Sequence, residues 1–409
     1  MSVIKKIIAN EVINSLGFPT LQGKLILDNG RELITTVSSS DPDNTFQNKE
    51  LRDNDEDRYN GFGVSRAVSY INELIGPKLV GVSPLKQLEI DSWLVKSDPN
   101  KDKSQLGVNT TLVVSQLLAK AGALESQMPL FKYLNTLYQK ATSKIISLQK
   151  LPTPLFTIII GGLEGQIDLD FKEFMVIPSS SLSYSKSYQT GVDLYHLIRK
   201  FFKMNFVVNL DVIQAIKETI EDDIGLRLGR DIFLGVNFNA SGFFKNNLYS
   251  VKDRQQPLKT DDFISFIINL VKKYSPLVII DPLENQDFAN WKKLSQMFGK
   301  DIYLVGEDFT SSNVERINRA VKEQSLTTVA LKLNQIGTIT ETLTLINFLR
   351  ESSLSYIIAS GYGETNDDFI SDFSVAVQSD FVKFGPPVHG ENITKYNRLL
   401  DIEKELKLG

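Results

Sequence analysis

The chain has 409 residues, long enough for two domains, and its 42% hydrophobic and 10% aromatic content can fill a large core. Lys and Arg number 45 against 49 Asp and Glu, so no basic field draws it to nucleic acid or anionic lipid. The absence of cysteine excludes disulfides, thiolate nucleophiles and thiolate metal sites, and leaves His196 and His389 as the only imidazoles. Residues 1–10 lack a sustained apolar core or cleavage site, and the longest aliphatic run, 156–160, is far too short to span a bilayer. The expectation is a soluble, cytoplasmic protein.

In chain order, residues 4–29 read as two strands turned at Leu16-Gly17-Phe18-Pro19, with Asp28-Asn29-Gly30 as a hairpin turn. Helical periodicity follows at 64–75 and 109–123, giving a small α+β domain over 1–140. A join at 141–150 leads into Leu151-Pro152-Thr153-Pro154, whose prolines enforce an extended entry to the second domain, 141–409. There, eight short apolar runs recur at 155–160, 174–177, 232–236, 277–280, 303–305, 328–333, 356–359 and 381–384. Most are followed by helical patterns, as at 262–274, 314–323 and 340–350, the alternation of a parallel (β/α)8 barrel. No helical pattern separates the first two runs, so the barrel should begin irregularly.

Several segments in fixed order resemble the enolase family over about residues 4–406. They are Glu50-Leu51-Arg52-Asp53, Arg58-Tyr59, Gly61-x-Gly63-Val64, Leu106-Gly107-Val108-Asn109 and Ala119-Lys120-Ala121-Gly122-Ala123. In the barrel half they are Lys172-Glu173-Phe174-Met175, Lys332-Leu333-Asn334-Gln335-Ile336-Gly337-Thr338 and Gly363-Glu364-Thr365-x-x-Asp368. The resemblance implies an α/β chain with an N-terminal α+β domain and an irregular (β/α)8 barrel. It also implies interconversion of 2-phosphoglycerate and phosphoenolpyruvate in glycolysis. That chemistry needs a lysine base, Mg2+ to hold carboxylate and enolate, and an acid to help hydroxide leave.

By the same resemblance, Lys332 matches the base, Glu173 a glutamate near the leaving group, and Lys383 a lysine that holds the substrate's anionic groups. The three metal carboxylates fall on Asn237, Ile280 and Glu307, of which only Glu307 keeps a charge. Asp281, one residue along the strand from Ile280, points to the opposite face and reads as a strand terminator. The serine of the family's mobile metal-recruiting loop becomes Pro42, within Ser39-Ser40-Asp41-Pro42-Asp43. A substrate-facing histidine becomes Glu164, and the phosphate clamp becomes Ser360, Gly361 and Tyr362. The acid loop is deleted between Phe206 and Val212, and both histidines fall outside the matched positions.

Two readings follow. The first is a non-catalytic or very weak enolase-like protein kept for binding or assembly. The second is a phosphopyruvate hydratase, or a lyase for another substrate, that uses Lys332 and Lys383 with Mg2+ at Glu307. Two neighbouring lysines with fewer carboxylates should recruit a small anionic ligand or depress a lysine pKa. The family's cross-subunit pair becomes Gln22 and Asp401, which leaves a homodimer or association with an authentic enolase as the candidate assemblies.

Overall fold

The structure is a computed structural model that describes residues 2–162, 167–198, 208–299 and 301–407. Its N-terminal part is an antiparallel sheet in the order β1 (Ile4–Ile13), β2 (Pro19–Leu27), β3 (Glu32–Thr36), covered by helices. The helical pattern at 64–75 is a broken rod: α1 (Ser65–Ser69) passes through a π-helical stretch, Tyr70–Ile75, into α2 (Gly76–Leu79). After α3 (Gln87–Ser97) comes α4 (Val108–Glu125), which is buried on nearly every face throughout most of its length. It lies so close to β2 that a Cβ at Gly23 would sit 2.7 Å from Val113 and 2.8 Å from Leu117. The following α5 (Leu130–Thr142) bonds onward to the second half, with Asn135 Nδ2 donating to the carbonyl of Ala376 at 2.8 Å.

All eight expected barrel strands form: β4 (Thr153–Ile160), β5 (Glu173–Pro178), β6 (Ile232–Asn237), β9 (Val278–Ile280), β10 (Tyr303–Gly306), β11 (Thr328–Leu331), β12 (Ser355–Ala359) and β13 (Phe381–Gly385). A two-stranded ribbon, β7 (Phe244–Lys245) and β8 (Leu248–Tyr249), is inserted after β6. The barrel closes in the order β4-β5-β6-β9-β10-β11-β12-β13. It is not fully parallel, because β5 runs antiparallel to both β4 and β6. Only residues 161–172 join β4 to β5, the bare minimum for the crossover that parallel pairing needs.

The outer helices are α6 (Tyr184–Ile198), α7 (Asn209–Glu218), α8 (Thr260–Tyr274), α9 (Phe288–Phe298), α10 (Val314–Glu323), α11 (Ile339–Glu351), α12 (Phe369–Ala376) and α13 (Gly390–Leu406). Their ends follow local chemistry. Asn313 caps α10 by accepting from the N–H groups of Glu315 and Arg316, and Thr338 and Glu341 form a capping pair at the start of α11. The barrel lumen is an apolar plug of Leu155, Met175, Ile177, Val278, Ile280, Val305, Ala330, Ile357 and Phe381. Polar chemistry is therefore confined to the rims.

Candidate functional site

Parallel strands deliver their last residues to the barrel's C-terminal mouth, and the reversed β5 delivers its first. This places Glu173, which opens β5, beside Asn237, which closes β6. Glu307 follows β10, Lys332 follows β11, and Lys383 lies in β13. These five side chains, expected from the sequence, meet in one continuous network.

Glu307 is its centre. Oε1 pairs with Lys332 Nζ at 2.7 Å and Oε2 with Lys383 Nζ at 2.8 Å. Lys383 Nζ also reaches Glu173 Oε2 at 2.6 Å, and Asn237 Nδ2 donates to that same oxygen at 2.7 Å. Thr157 Oγ1, on β4, donates to Glu173 Oε1 at 3.0 Å. Thr157 was not singled out by its sequence, since a threonine in an apolar strand run reads as an ordinary β-former.

Burial would raise the carboxyl of Glu307, but Lys332 and Lys383 outweigh it and hold the group well below the ordinary carboxylate range. Glu173 is lowered in the same way, burial being outweighed chiefly by Lys383. Burial would lower the lysines, yet Glu307 raises Lys332, and Glu173 with Glu307 raises Lys383. Of the two alternatives, an anion recruited or a lysine pKa depressed, the second runs against the direction here, because Glu307 and Glu173 hold the two lysines up.

The residues at the metal positions do not fit a hard divalent cation. Both oxygens of Glu307 are engaged by ammonium groups. Asn237 donates through Nδ2 to Glu173 and accepts through Oδ1 from the Asn239 N–H at 3.1 Å, so its amide is used at both ends. Ile280 packs in the lumen. Among the described residues, no group of three or more Asp, Glu and His side chains could hold a metal ion.

Asp281 is more than a strand terminator. At a positive φ of 44° it accepts N–H bonds from Glu307 (3.0 Å), Asp308 (2.6 Å) and Phe309 (3.2 Å), fixing the backbone that carries Glu307. Burial, then the charges of Asp308 and Glu307, push its carboxyl up to about 7, against those same backbone donors.

At the clamp positions, the Ser360 N–H donates to the carbonyl of Lys383 at 3.0 Å, while its buried Oγ has no partner among the protein atoms. A Cβ at Gly361 would lie 2.4 Å from Ser38 Oγ and 2.8 Å from Asn334 Nδ2, so no arginine fits there without rearrangement. Glu164 lies outside the described residues, as do residues 206 and 207 of the deletion. His196 is exposed on α6, and His389 is exposed just before α13. Neither joins the network.

The segment around Pro42 is fastened to the barrel, which its sequence gave no reason to expect. Ser311 Oγ donates to Asn44 Oδ1 at 2.9 Å, Asn313 Nδ2 to the carbonyl of Phe46 at 3.0 Å, and Gln335 Nε2 to Gln47 Oε1 at 3.1 Å. The Arg316 guanidinium lies 3.8 Å from the centroid of the Phe46 ring. Phe46 and Arg316 are too far apart in sequence for any pattern to link them.

Comparison with known proteins is decisive for descent. The family description "Enolase, N-terminal domain" matches residues 4–134, and "Enolase, C-terminal TIM barrel domain" matches residues 148–408. The chain belongs to the enolase family. It is 33% identical over 420 residues to an enolase of Ehrlichia canis (strain Jake), covering 99% of this chain and 97% of that one. An enolase of Ehrlichia ruminantium (strain Welgevonden) is 34% identical over 418 residues, covering 98% and 96%. Enolase-like architecture thus spans the whole chain, and the residues at its mouth carry the functional question.

Proposed function

We propose that this chain is a non-catalytic member of the enolase family, with a barrel mouth closed by its own ion pairs. The observation that carries this reading is Glu307 bridging Lys332 and Lys383. Lys332, at the base position, is paired with Glu307 at 2.7 Å, both oxygens of Glu307 are engaged by ammonium groups, and glycine stands at 361 where the clamp arginine would be. Impairing several members of a catalytic unit together costs many orders of magnitude in rate.

The full-length relatives named enolase favour a second reading, phosphopyruvate hydratase activity with an altered metal site. That reading requires Mg2+ to displace a lysine from Glu307. Phosphoenolpyruvate formation from 2-phosphoglycerate and magnesium distinguishes the two, run beside Lys332→Ala and a control for contaminating enolase. We expect no turnover above the Lys332→Ala background; activity that the substitution abolishes would establish the second reading.

Among the described residues, no helix is long and apolar enough to cross a membrane, and a cytoplasmic location is part of this proposal. The role we assign is binding or assembly, as a homodimer or with an authentic enolase. Ile13, Leu16 and Ile34, all about half-exposed on or beside the N-terminal sheet, offer apolar surface for it. Light scattering alone and with an active enolase tests this, and a strict monomer in both would remove it.

A further inference from the structure

A cavity of about 200 Å3 lies between the entry to β4, residues 149–154, and the turn that leads from β5 into α6, with Glu403 of α13 as a third wall. Thr153 opens β4, which ends at the barrel mouth, and residue 180 follows the end of β5, which begins at the mouth with Glu173. The cavity is therefore at the opposite end of the barrel from the lysine network. Its volume is below that of drug-sized pockets and leaves room for one small ring.

Its polar groups are largely unspent. Ser187 is 4% exposed, yet its Oγ makes no hydrogen bond to any described residue. It does not fold back on the carbonyl one turn earlier, as Thr190 Oγ1 does on that of Lys186 at 2.9 Å. Unlike the sealed hydroxyls of Ser360 and Ser379, it keeps accessible surface, and Ser187 lines the cavity. Thr153 Oγ1, Ser180 Oγ and the Gln149 side-chain amide line the same space, also without a partner among the described residues. All four groups both donate and accept.

The two charges in the lining are already paired. Glu403 accepts the Tyr184 N–H on Oε1 at 2.6 Å and the Ser185 N–H on Oε2 at 3.1 Å, and Lys150 Nζ lies 3.6 Å from Asp380. An anion would face Glu403 and a cation Lys150, with no uncommitted counter-charge for either. Pro152 and Pro154, both buried, add rigid apolar surface. Free hydroxyls and an amide beside apolar proline rings match a ligand with hydroxyl edges and C–H faces.

We propose that this cavity binds a neutral polyhydroxylated ring, a monosaccharide or an inositol, with Ser187 Oγ as its innermost hydrogen-bond partner. The inference holds whether or not the mouth turns over substrate.

The test is saturation-transfer NMR on the full chain with D-glucose, myo-inositol and cyclohexanol, which keeps the ring but has a single hydroxyl. We expect D-glucose, myo-inositol or both to bind with a Kd at or below about 10 mM, and cyclohexanol to bind more weakly. Which of the two binds separates the sources. Ser187→Ala should weaken binding by about threefold or more, the loss of one hydrogen bond. Ser180→Trp, at an exposed rim position, should abolish it, and it decides alone if Ser187→Ala fails to fold. Binding of neither polyol at about 10 mM would overturn the proposal and leave the hydroxyls to water. So would cyclohexanol binding as tightly as the polyols, or affinity unchanged in Ser180→Trp.

Discussion

The barrel mouth and the segment of residues 39–66 handle a buried carboxylate in opposite ways. At the mouth, Glu307 gives each oxygen its own ammonium partner, and Glu173 is served by Lys383, Asn237 and Thr157. In that segment, Glu50 has two donors on one oxygen and none among the protein atoms on the other. The carboxyls respond accordingly, Glu307 and Glu173 being held low and Glu50 high. Burial alone therefore does not decide which way a carboxyl is shifted; the number and placement of its donors does.

The largest expected effect breaks the mouth. Glu307→Gln leaves two buried ammonium groups without their shared anion and should cost about 3–5 kcal/mol, read by urea unfolding. Replacing Glu307, Lys332 and Lys383 together by apolar residues of similar size should recover much of that loss, since a buried ion network is often no better than packed hydrocarbon. If the single and triple variants were equally unstable, the network would not be the cause.

Arg316→Ala comes next. It removes the stacking on Phe46 and the donation to the carbonyls of Phe309 and Asn285, and should cost about 1–3 kcal/mol. Hydrogen exchange across residues 41–49 should quicken while the barrel strands stay protected, and unchanged exchange there would mean that the other contacts suffice to hold the segment.

The smallest effect is a slope with pH. Glu307 is lowered in the folded state, so its contribution is complete above the ordinary carboxylate range and is lost only as the pH falls well below it. Lys332 and Lys383 are raised, so theirs is lost only above the ordinary lysine range. Between these limits the mouth is flat. Asp281 differs: raised from 3.8 to about 7, it binds more proton folded than unfolded, so stability falls as pH rises through that window. Glu50, Asp91 and Asp368 are also raised and add slope of the same sign. Asp281→Asn should flatten the fall without abolishing it, measured as unfolding free energy at a series of pH values; an unchanged slope would assign the fall to those other groups.

The strands and most barrel helices were legible because their signals are local. Continuous apolar runs such as 155–160 mark doubly buried strands, and the period of 314–323 marks a helix packed by one face. The π-helical break at Tyr70–Ile75 was not legible, because its sequence keeps ordinary helical spacing. Helices α3 and α5 were overlooked although α5 carries a clear apolar stripe. The reversal of β5 was foreshadowed by the missing crossover helix, and it explains how Glu173, at a strand's beginning, shares a mouth with residues at strand ends.

By itself, the sequence determined the two-part α/β architecture, the rim positions of Lys332, Lys383, Glu173, Asn237 and Glu307, and the loss of charge at Ile280. The architecture follows from residue type and strand period, which act over a few neighbours, and the site positions follow from the resemblance to enolases. Only the tertiary structure decided that the two lysines share Glu307, that Asp281 braces that glutamate's backbone, that Phe46 is pinned by Arg316, and that Glu50 keeps an unserved oxygen. Those outcomes depend on distances between residues far apart in the chain, and electrostatic energies inside a protein change steeply with such distances and with burial.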